Sequence, residues 1–208
     1  MCFYTQQNSL KIDVKRRFNA KIDDESNFLT SEYINGFSYP NLLIILDTKP
    51  NIITTSYSWG LLPEWAKNIE FRKNTLNARI ETIDEKASYK NISNNRCLII
   101  ATAFYEWHWN DEKGKTKEKY QINSQDDEIF TFAGLYSKWI NPETTEEKNT
   151  FTMLTTSANQ VMQYVHNHKK RMPVILKKAD EMKWLDSNVS IQNFAFPYES
   201  NIIAFPCQ

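Results

Sequence analysis

The stretch RCLIIATAFYEW (96–107) decides the fold class, because it is a long apolar run rich in residues that favour β-strands. Further runs of this kind recur along the chain: LLIILD (42–47), NIITTSYSW (51–59), EKYQIN (118–123), IFTFAG (129–134), NTFTMLTT (149–156) and RMPVIL (171–176). The polar segment NDEKGKTK (110–117) separates two of the runs and indicates a hairpin turn. The chain is therefore predicted to consist mainly of strands.

Helical candidates are fewer than strand candidates. The segments ARIETIDEKASY (78–89) and SANQVMQYV (157–165) carry apolar residues at roughly helical spacing, with Ser157 as a plausible N-cap. KKADEMKWLD (177–186) is a third candidate, and it follows the last strand. Because the helices are too few to alternate with the strands, we expect an α+β fold in which a few helices flank an antiparallel, barrel-like β-sheet core.

The chain shows no sign of more than one domain. It has no internal repeat, no low-complexity tract and no linker, so residues 1–208 are expected to form a single domain. Its core is predicted at about 2–185, and 186–208 is read as a C-terminal tail.

The composition disfavours several classes of protein. There are four glycines, and neither a dinucleotide-binding nor a P-loop glycine motif occurs. The formal net charge is zero, so binding to nucleic acid would need a local basic patch. No apolar run approaches the length that spans a bilayer, and the N-terminus lacks the pattern of a secretory signal. We therefore expect a cytoplasmic protein without a membrane partner.

The three cysteines, Cys2, Cys97 and Cys207, are scattered and odd in number. They fit neither a disulfide framework nor a C-x-x-C metal site, and no candidate ligands pair at metal-site spacing. No metal and no cofactor is expected. Cys97 lies inside an apolar run and is read as a small buried hydrophobe.

Polar residues lie among aromatics in four segments, MCFYT (1–5), TLNARIET (75–82), AFYEWHW (103–109) and HNHKKRMP (166–173). The alternation of this strand does not decide whether Glu106 faces solvent or a protected pocket. In a pocket, desolvation would raise its pKa and let it act as a general acid or base near neutral pH. Taken alone, Asn77 is read as a cap or turn residue, Arg79 as a surface charge, and the two loop histidines as solvated.

Cys2 is followed, in order, by six distinctive segments. These segments are WGLLPEWAK (59–67), NARIET (77–82), FYEW (104–107), FAGLYSKW (132–139), FTMLTTSAN (151–159) and RMPVIL (171–176). Their order resembles the SOS-response-associated peptidase family, whose members process abasic sites, and the resemblance runs from Cys2 to about Leu185.

The resemblance implies an enzyme that senses abasic sites in single-stranded DNA during the DNA damage response. Met1 is removed, and the α-amine of Cys2 attacks the aldehyde of the ring-opened sugar to give a Schiff base. The thiol of Cys2 then closes a thiazolidine ring, which leaves a covalent DNA–protein cross-link. An α-amine titrates near 8 and a thiol near 8.5, so both are expected to be usable nucleophiles at neutral pH.

The resemblance also implies roles for single residues. Asn77 positions the N-terminal residue and the sugar, Glu106 moves protons, and a histidine completes the catalytic set. The resemblance implies that Arg79 and Arg171 hold DNA phosphates and that Trp59 and Trp65 stack on bases. Thr155 and Pro40 are implied to line the groove that binds the DNA strand.

Two departures from the family pattern affect these expectations. Members commonly open Cys-Gly-Arg, whereas this chain has Phe3 and Tyr4, so one expected phosphate contact is missing. The family histidine usually lies two residues before the arginine of RMP, where this chain has Lys169. His166 is preferred as the catalytic histidine because it keeps its distance from the preceding helix, and His168 remains an alternative.

Two other functions remain open. An N-terminal-nucleophile cysteine peptidase could use the same residues, although Met1 alone leaves almost nothing to process. A non-catalytic module for single-stranded DNA would bind intact and abasic strands alike, and its binding would be reversed by salt. We expect a monomer that associates with the nucleoid when it is bound to DNA.

Overall fold

The computed structural model describes residues 2–207; Met1, whose removal the resemblance implies, lies outside the described residues. In chain order the strands are β1 (Tyr4–Gln7), β2 (Lys21–Ile22), β3 (Ser31–Asn35), β4 (Asn41–Leu46), β5 (Ile52–Trp59), β6 (Asn77–Arg79), β7 (Arg96–Ala101), β8 (Ala103–Trp109), β9 (Lys117–Ser124), β10 (Phe130–Ile140), β11 (Glu147–Ser157), β12 (Arg171–Pro173), β13 (Ile175–Leu176) and β14 (Ile202–Pro206). The α-helices are α1 (Lys11–Phe18), α2 (Gln160–Val165) and α3 (Glu181–Leu185).

The larger of two sheets closes into a barrel. Its strand order is β12-β11-β10-β7-β4-β5-β2, with β13 paired to β10 and β6 paired to β11. A parallel pairing of β5 with β11 joins the two ends of the run β11-β10-β7-β4-β5, so these five strands form a closed ring. The expected α+β fold with a barrel-like sheet is confirmed.

The central strands of the barrel are buried on both faces. Along β4, Leu43 and Ile45 belong to one hydrophobic cluster, whereas Leu42, Ile44 and Leu46 belong to another. A strand that packs against a core on each side needs apolar residues at every position. This explains why LLIIL and RCLIIA read as continuous apolar runs without alternation.

The stretch RCLIIATAFYEW supplies one strand to each sheet. It divides at Thr102, where β7 of the barrel ends and β8 of a second, antiparallel sheet begins. The order of the second sheet is β14-β9-β8-β1-β3, so the N-terminal strand β1 lies directly beside β8. This pairing brings the N-terminus to the segment that contains Glu106.

The helices differ from the expectation in two places. Segment 78–89 forms no α-helix: it begins in β6, which pairs with β11, and continues as a short 3₁₀ turn at Ile80–Thr82. The helix α1 was not expected at all, because only Val14 of its eight residues is buried and its apolar periodicity is weak. Helix α2 is capped by Asn159 rather than Ser157, through a 3.0 Å hydrogen bond from the Met162 amide.

The segment read as a C-terminal tail packs against the body of the protein. Strand β14 pairs with β9 along its whole length, and Ile191 and Phe194 are buried in the core. The packed structure therefore continues well past Leu185. Among the described residues, no helix is both long enough and apolar enough to cross a membrane.

Candidate active site at the N-terminal strand

The backbone around Cys2 is held by strands on both sides of β1. Tyr4 is paired with Asn35 of β3 and with Tyr105 of β8. The Gly36 amide donates a 2.8 Å hydrogen bond to the carbonyl oxygen of Phe3. A Cβ atom on Gly36 would lie 3.0 Å from the Trp59 ring and 3.1 Å from that oxygen, so glycine permits this close approach. The residue before β1 is thereby fixed in place.

The Cys2 side chain is fully buried, and its Sγ atom lies 3.5 Å from the carbonyl oxygen of Tyr4, to which it donates a hydrogen bond. Burial, together with the nearby negative charge of Glu106, raises the pKa of the Cys2 thiol well above its ordinary value. This corrects the expectation of a thiol that titrates near 8.5. The sulfur is held as a neutral thiol at neutral pH.

Asn77 connects the barrel to the N-terminal residue. It is the first residue of β6, whose pairing with β11 places it opposite Met153. Its Nδ2 atom donates a 2.8 Å hydrogen bond to the backbone carbonyl of Cys2. The Oδ1 atom of the same amide is buried and accepts no hydrogen bond from residues 2–207. It can therefore accept one from a group that arrives with a substrate.

Glu106 and His166 form a buried pair. Glu106 is 5% exposed, which answers the question left open by the alternation of β8. His166 Nε2 lies 3.9 Å from Glu106 Oε2, and both side chains are almost completely buried. Burial lowers the pKa of His166, and the charge of Glu106 only partly opposes this effect. The imidazole is therefore neutral at neutral pH.

The tautomer of His166 follows from its other nitrogen. Nδ1 lies 2.7 Å from the carbonyl oxygen of Arg171, and a carbonyl can only accept a hydrogen bond, so Nδ1 carries the proton. Nε2 then has its lone pair on the side of Glu106. A proton released at the site can be taken up there and shared with the carboxylate.

The segment HNHKKRMP places its two histidines differently. His166 follows α2 directly and lies next to Glu106. His168 stacks on Trp109 instead, with ring centroids 3.7 Å apart and an interplanar angle of 7°. His166 is thus the histidine that adjoins the carboxylate, and its catalytic role stays a prediction.

Arg171 is engaged within the protein. Its guanidinium makes two 2.8 Å hydrogen bonds to the carboxylate of Glu81 and one of 2.7 Å to the Thr155 carbonyl. Burial is the largest single effect on Glu81 and opposes its ionisation, but the hydrogen bonds and positive charge of Arg171, a backbone hydrogen bond and the Thr156 hydroxyl together outweigh it and hold the pKa of Glu81 below its ordinary value. Thr155 is fully buried and donates to the Ala78 carbonyl, so its hydroxyl does not face solvent.

The remaining residues expected at the DNA separate into exposed and buried ones. Arg79 is exposed, Pro40 is half-buried, and Trp65 is 52% exposed. Trp59 has no exposed surface, and its Nε1 donates a 2.7 Å hydrogen bond to the Leu76 carbonyl. Trp59 is therefore a core residue here and has no face to offer a base, which corrects the expected contact.

A cavity of about 320 Å³ reaches this site. Glu106 and His166 line one part of it. The other lining residues are the aromatic residues Phe3, Tyr4, Trp107 and Trp109, together with Lys117, His168 and Lys169. Sequence reasoning assigned no role to Trp107 or Trp109. The signal was present in the alternation of tryptophan and histidine in WHW (107–109), at the end of an apolar strand.

A larger groove of about 1260 Å³ lies elsewhere and includes Arg17 and Gln121 in its lining. None of Cys2, Asn77, Glu106 and His166 borders it, whereas Glu106 and His166 line the smaller cavity, which is therefore the candidate site. Within residues 2–207 no cluster of three or more His, Cys, Asp or Glu side chains could hold a metal ion.

Comparisons with known proteins find similar sequences over most of the chain. A family model described as SOS response associated peptidase (SRAP) matches residues 1–206. Abasic site processing protein YoqW of Bacillus subtilis (strain 168) is 37% identical over 166 residues, covering 77% of this chain and 71% of that protein. Abasic site processing protein YoaM of the same organism is 37% identical over 189 residues, covering 87% and 81%.

The fold is also found in a solved structure. A crystal structure of a protein from Bacteroides thetaiotaomicron has a TM-score of 0.89 at 32% sequence identity, and the match covers 100% of this chain and 92% of that one. The likeness in fold therefore extends over both sheets.

Proposed function

Because the chain belongs to the SOS response associated peptidase family, we propose that it processes abasic sites in single-stranded DNA as part of the response to DNA damage. Its relatives YoqW and YoaM carry the name abasic site processing protein. Once Met1 is removed, the Cys2 α-amine and thiol together capture the aldehyde of the ring-opened sugar. The product is a thiazolidine that joins the protein covalently to the DNA.

The 2.8 Å hydrogen bond from Asn77 to the Cys2 carbonyl is the observation that carries this proposal. A side chain from the barrel holds the backbone of the second residue, although that residue precedes the first strand. Such a bond serves a reaction in which the main chain of Cys2, and not only its sulfur, must be positioned. Preorganisation of this kind lowers the entropic cost of reaching the reactive geometry.

The first chemical step uses the α-amine. Its nitrogen attacks the aldehyde carbon, and the carbinolamine then loses water to give a Schiff base. Loss of water requires a proton donor near the departing hydroxyl, and formation of the carbinolamine requires an acceptor for an ammonium proton. The Glu106–His166 pair, with Nε2 and Oε2 3.9 Å apart, supports both roles because it can take up one proton and return it.

The second step uses the thiol. Sγ adds to the Schiff-base carbon, and the thiol proton ends on the nitrogen, so that the net reaction releases one water molecule. The high pKa of the buried Cys2 thiol supports this order, because a neutral thiol does not compete with the amine for the aldehyde. The sulfur then attacks from the same residue, which makes ring closure intramolecular.

Contacts with the DNA strand are proposed for the residues at the surface. Arg79 is exposed and can pair with a phosphate, Trp65 can stack on a base, and the half-buried Pro40 can contact the same strand. A phosphate contact by Arg171 would have to compete with Glu81, which already occupies its guanidinium. Arg171 instead helps to orient His166, since its backbone carbonyl accepts a hydrogen bond from Nδ1.

A test of the proposal compares substrates. The purified protein is incubated with single-stranded DNA that carries one abasic site, with the same strand undamaged, and with peptides in the absence of DNA. We expect a heat-stable adduct on a denaturing gel for the abasic strand alone, without borohydride. Turnover of peptides without formation of an adduct would overturn the proposal in favour of an N-terminal-nucleophile peptidase.

A further inference from the structure

One part of the cavity plays no role in the chemistry proposed above. Trp109 and His168 both line it, and their rings lie parallel, with centroids 3.7 Å apart and an interplanar angle of 7°. Trp107 and Tyr4 line it as well and meet edge to face, with centroids 4.9 Å apart. Two aromatic pairs therefore border a space that also contacts Glu106 and His166.

The His168–Trp109 stack is not needed to hold the core together. His168 is exposed, and Trp109 is only half-buried at the end of β8. The loop that carries His168 connects α2 to β12 and closes through a 2.8 Å hydrogen bond from the Lys170 amide to the His166 carbonyl. A stacked pair of rings at the surface offers flat apolar area to a third flat ring.

Positive charge accompanies these rings. The Nζ atom of Lys117 lies 4.8 Å from the centroid of Trp109, and Lys117 and Lys169 both line the cavity and are exposed. In a chain whose formal net charge is zero, this is a local concentration of cations beside aromatic faces. Cationic side chains alternating with aromatic faces are typical of surfaces that bind single-stranded nucleic acid, since the cations pair with phosphates while the rings stack on bases.

We propose that this aromatic part of the cavity, bounded by Trp109 and His168, binds the base of a nucleotide that directly neighbours the abasic sugar in the same strand. The inference rests on the proposed function, because a sugar that reaches Glu106 and His166 brings its neighbour to the rings. Lys117 and Lys169 hold the flanking phosphates. Stacking accepts every base, and a purine, with its larger ring surface, binds more tightly than a pyrimidine.

The test uses a single-stranded oligonucleotide with a tetrahydrofuran abasic analogue, which has no aldehyde and therefore cannot be cross-linked. The residue on each side of it is in turn adenine, thymine or a second tetrahydrofuran, and affinity for the full chain is measured by fluorescence anisotropy. At one of the two neighbouring positions, we expect the oligonucleotide with adenine to bind about tenfold more tightly than the one with a second tetrahydrofuran, and the one with thymine to have an intermediate affinity.

Variants separate the stack from general binding. His168→Ser and Trp109→Leu should reduce the preference for adenine to about twofold or less. The matched control is His108→Ser, because His108 also stacks on an aromatic ring, Tyr164, with centroids 4.7 Å apart, but does not line the cavity. Lys169→Ala should instead lower the salt dependence of binding by about 0.7 in log–log slope and leave the base preference intact.

The outcomes are distinct from those of the cross-linking test. Equal affinity for strands with and without the neighbouring base overturns the subsite, as does a preference that survives in both His168→Ser and Trp109→Leu. A base preference without any cross-link to an aldehyde-containing strand supports the subsite and overturns the proposed chemistry. A cross-link without base preference supports the proposed chemistry and overturns the subsite.

Discussion

Asn77 and Cys2 are joined across the two sheets by a 2.8 Å hydrogen bond from the Asn77 side-chain amide to the Cys2 backbone carbonyl. Asn77 starts a short strand that pairs with β11 of the barrel, whereas Cys2 precedes β1 of the second sheet. The bond therefore fixes the position of the N-terminal residue relative to the barrel.

Replacing Asn77 with alanine should slow formation of the cross-link about tenfold and leave its final yield unchanged, because one positioning hydrogen bond is lost. The rate is measured on denaturing gels as a time course with abasic single-stranded DNA. The matched control is Asn95→Ala, which removes a similar bond, from Nδ2 to the Tyr136 carbonyl at 3.4 Å, away from the site. Wild-type rates in Asn77→Ala would contradict the positioning role.

The low pKa of His166 links its charge to stability. As the pH falls below about 6.5, the histidine of the unfolded chain takes up a proton that the buried, neutral His166 resists, so unfolding is favoured. Replacement by glutamine removes this contribution. We expect His166→Gln to lose fewer degrees of Tm than the wild type between about pH 7.5 and pH 5.5.

The measurement is a thermal melt across that pH range, with His108→Gln as the control for removal of a histidine outside the cavity. A Tm–pH profile for His166→Gln that runs parallel to the wild type would show that the imidazole is not held neutral by burial.

Arg79 is exposed in β6, two residues after Asn77, and should contribute one phosphate contact. Arg79→Ala is expected to lower the slope of log affinity against log salt by about 0.7 for single-stranded DNA. Lys138→Ala removes one positive charge from an exposed pair with Glu147 and serves as the control. If both variants change the slope equally, Arg79 acts only through net charge.

The two tryptophans of WGLLPEWAK should behave in opposite ways. Trp59→Phe removes a buried indole and its hydrogen bond to Leu76, which should cost about 2 kcal/mol of stability. Trp65→Ala removes an indole that is 52% exposed. It should change stability by less than about 1 kcal/mol but weaken DNA binding about fivefold.

Denaturant unfolding and anisotropy measure the two effects separately. A stable Trp59→Phe variant with weakened DNA binding would show that Trp59 reaches the strand after all.

The strands could be predicted because the barrel buries both faces of its central members, which forces continuous apolar sequence on β4 and β7. The helix predicted for segment 78–89 was wrong because its local sequence pattern does not reflect its tertiary contacts. Its helical spacing is real, but its first residues are held by pairing of β6 with β11, a contact that a local pattern does not contain.

The candidate site was harder to read than the fold. Whether Glu106 faces solvent depends on what covers β8, and His166 comes from a loop sixty positions further along the chain. The burial of Trp59 likewise depends on packing against distant strands. Only the resemblance to a family brought Cys2, Asn77 and Glu106 together before the structure did.

Cross-linking through Cys2 is tested most directly by the mass of the N-terminal peptide after reaction with abasic single-stranded DNA and digestion of both the protein and the DNA. We predict an adduct on a peptide that begins at Cys2 and lacks Met1, with a mass one water molecule below the sum of its two components. Cys2→Ser should give only an adduct that needs borohydride, and Cys207→Ala should react like the wild type. A borohydride-independent adduct in Cys2→Ala, or one on a peptide that retains Met1, would contradict cross-linking through an N-terminal Cys2.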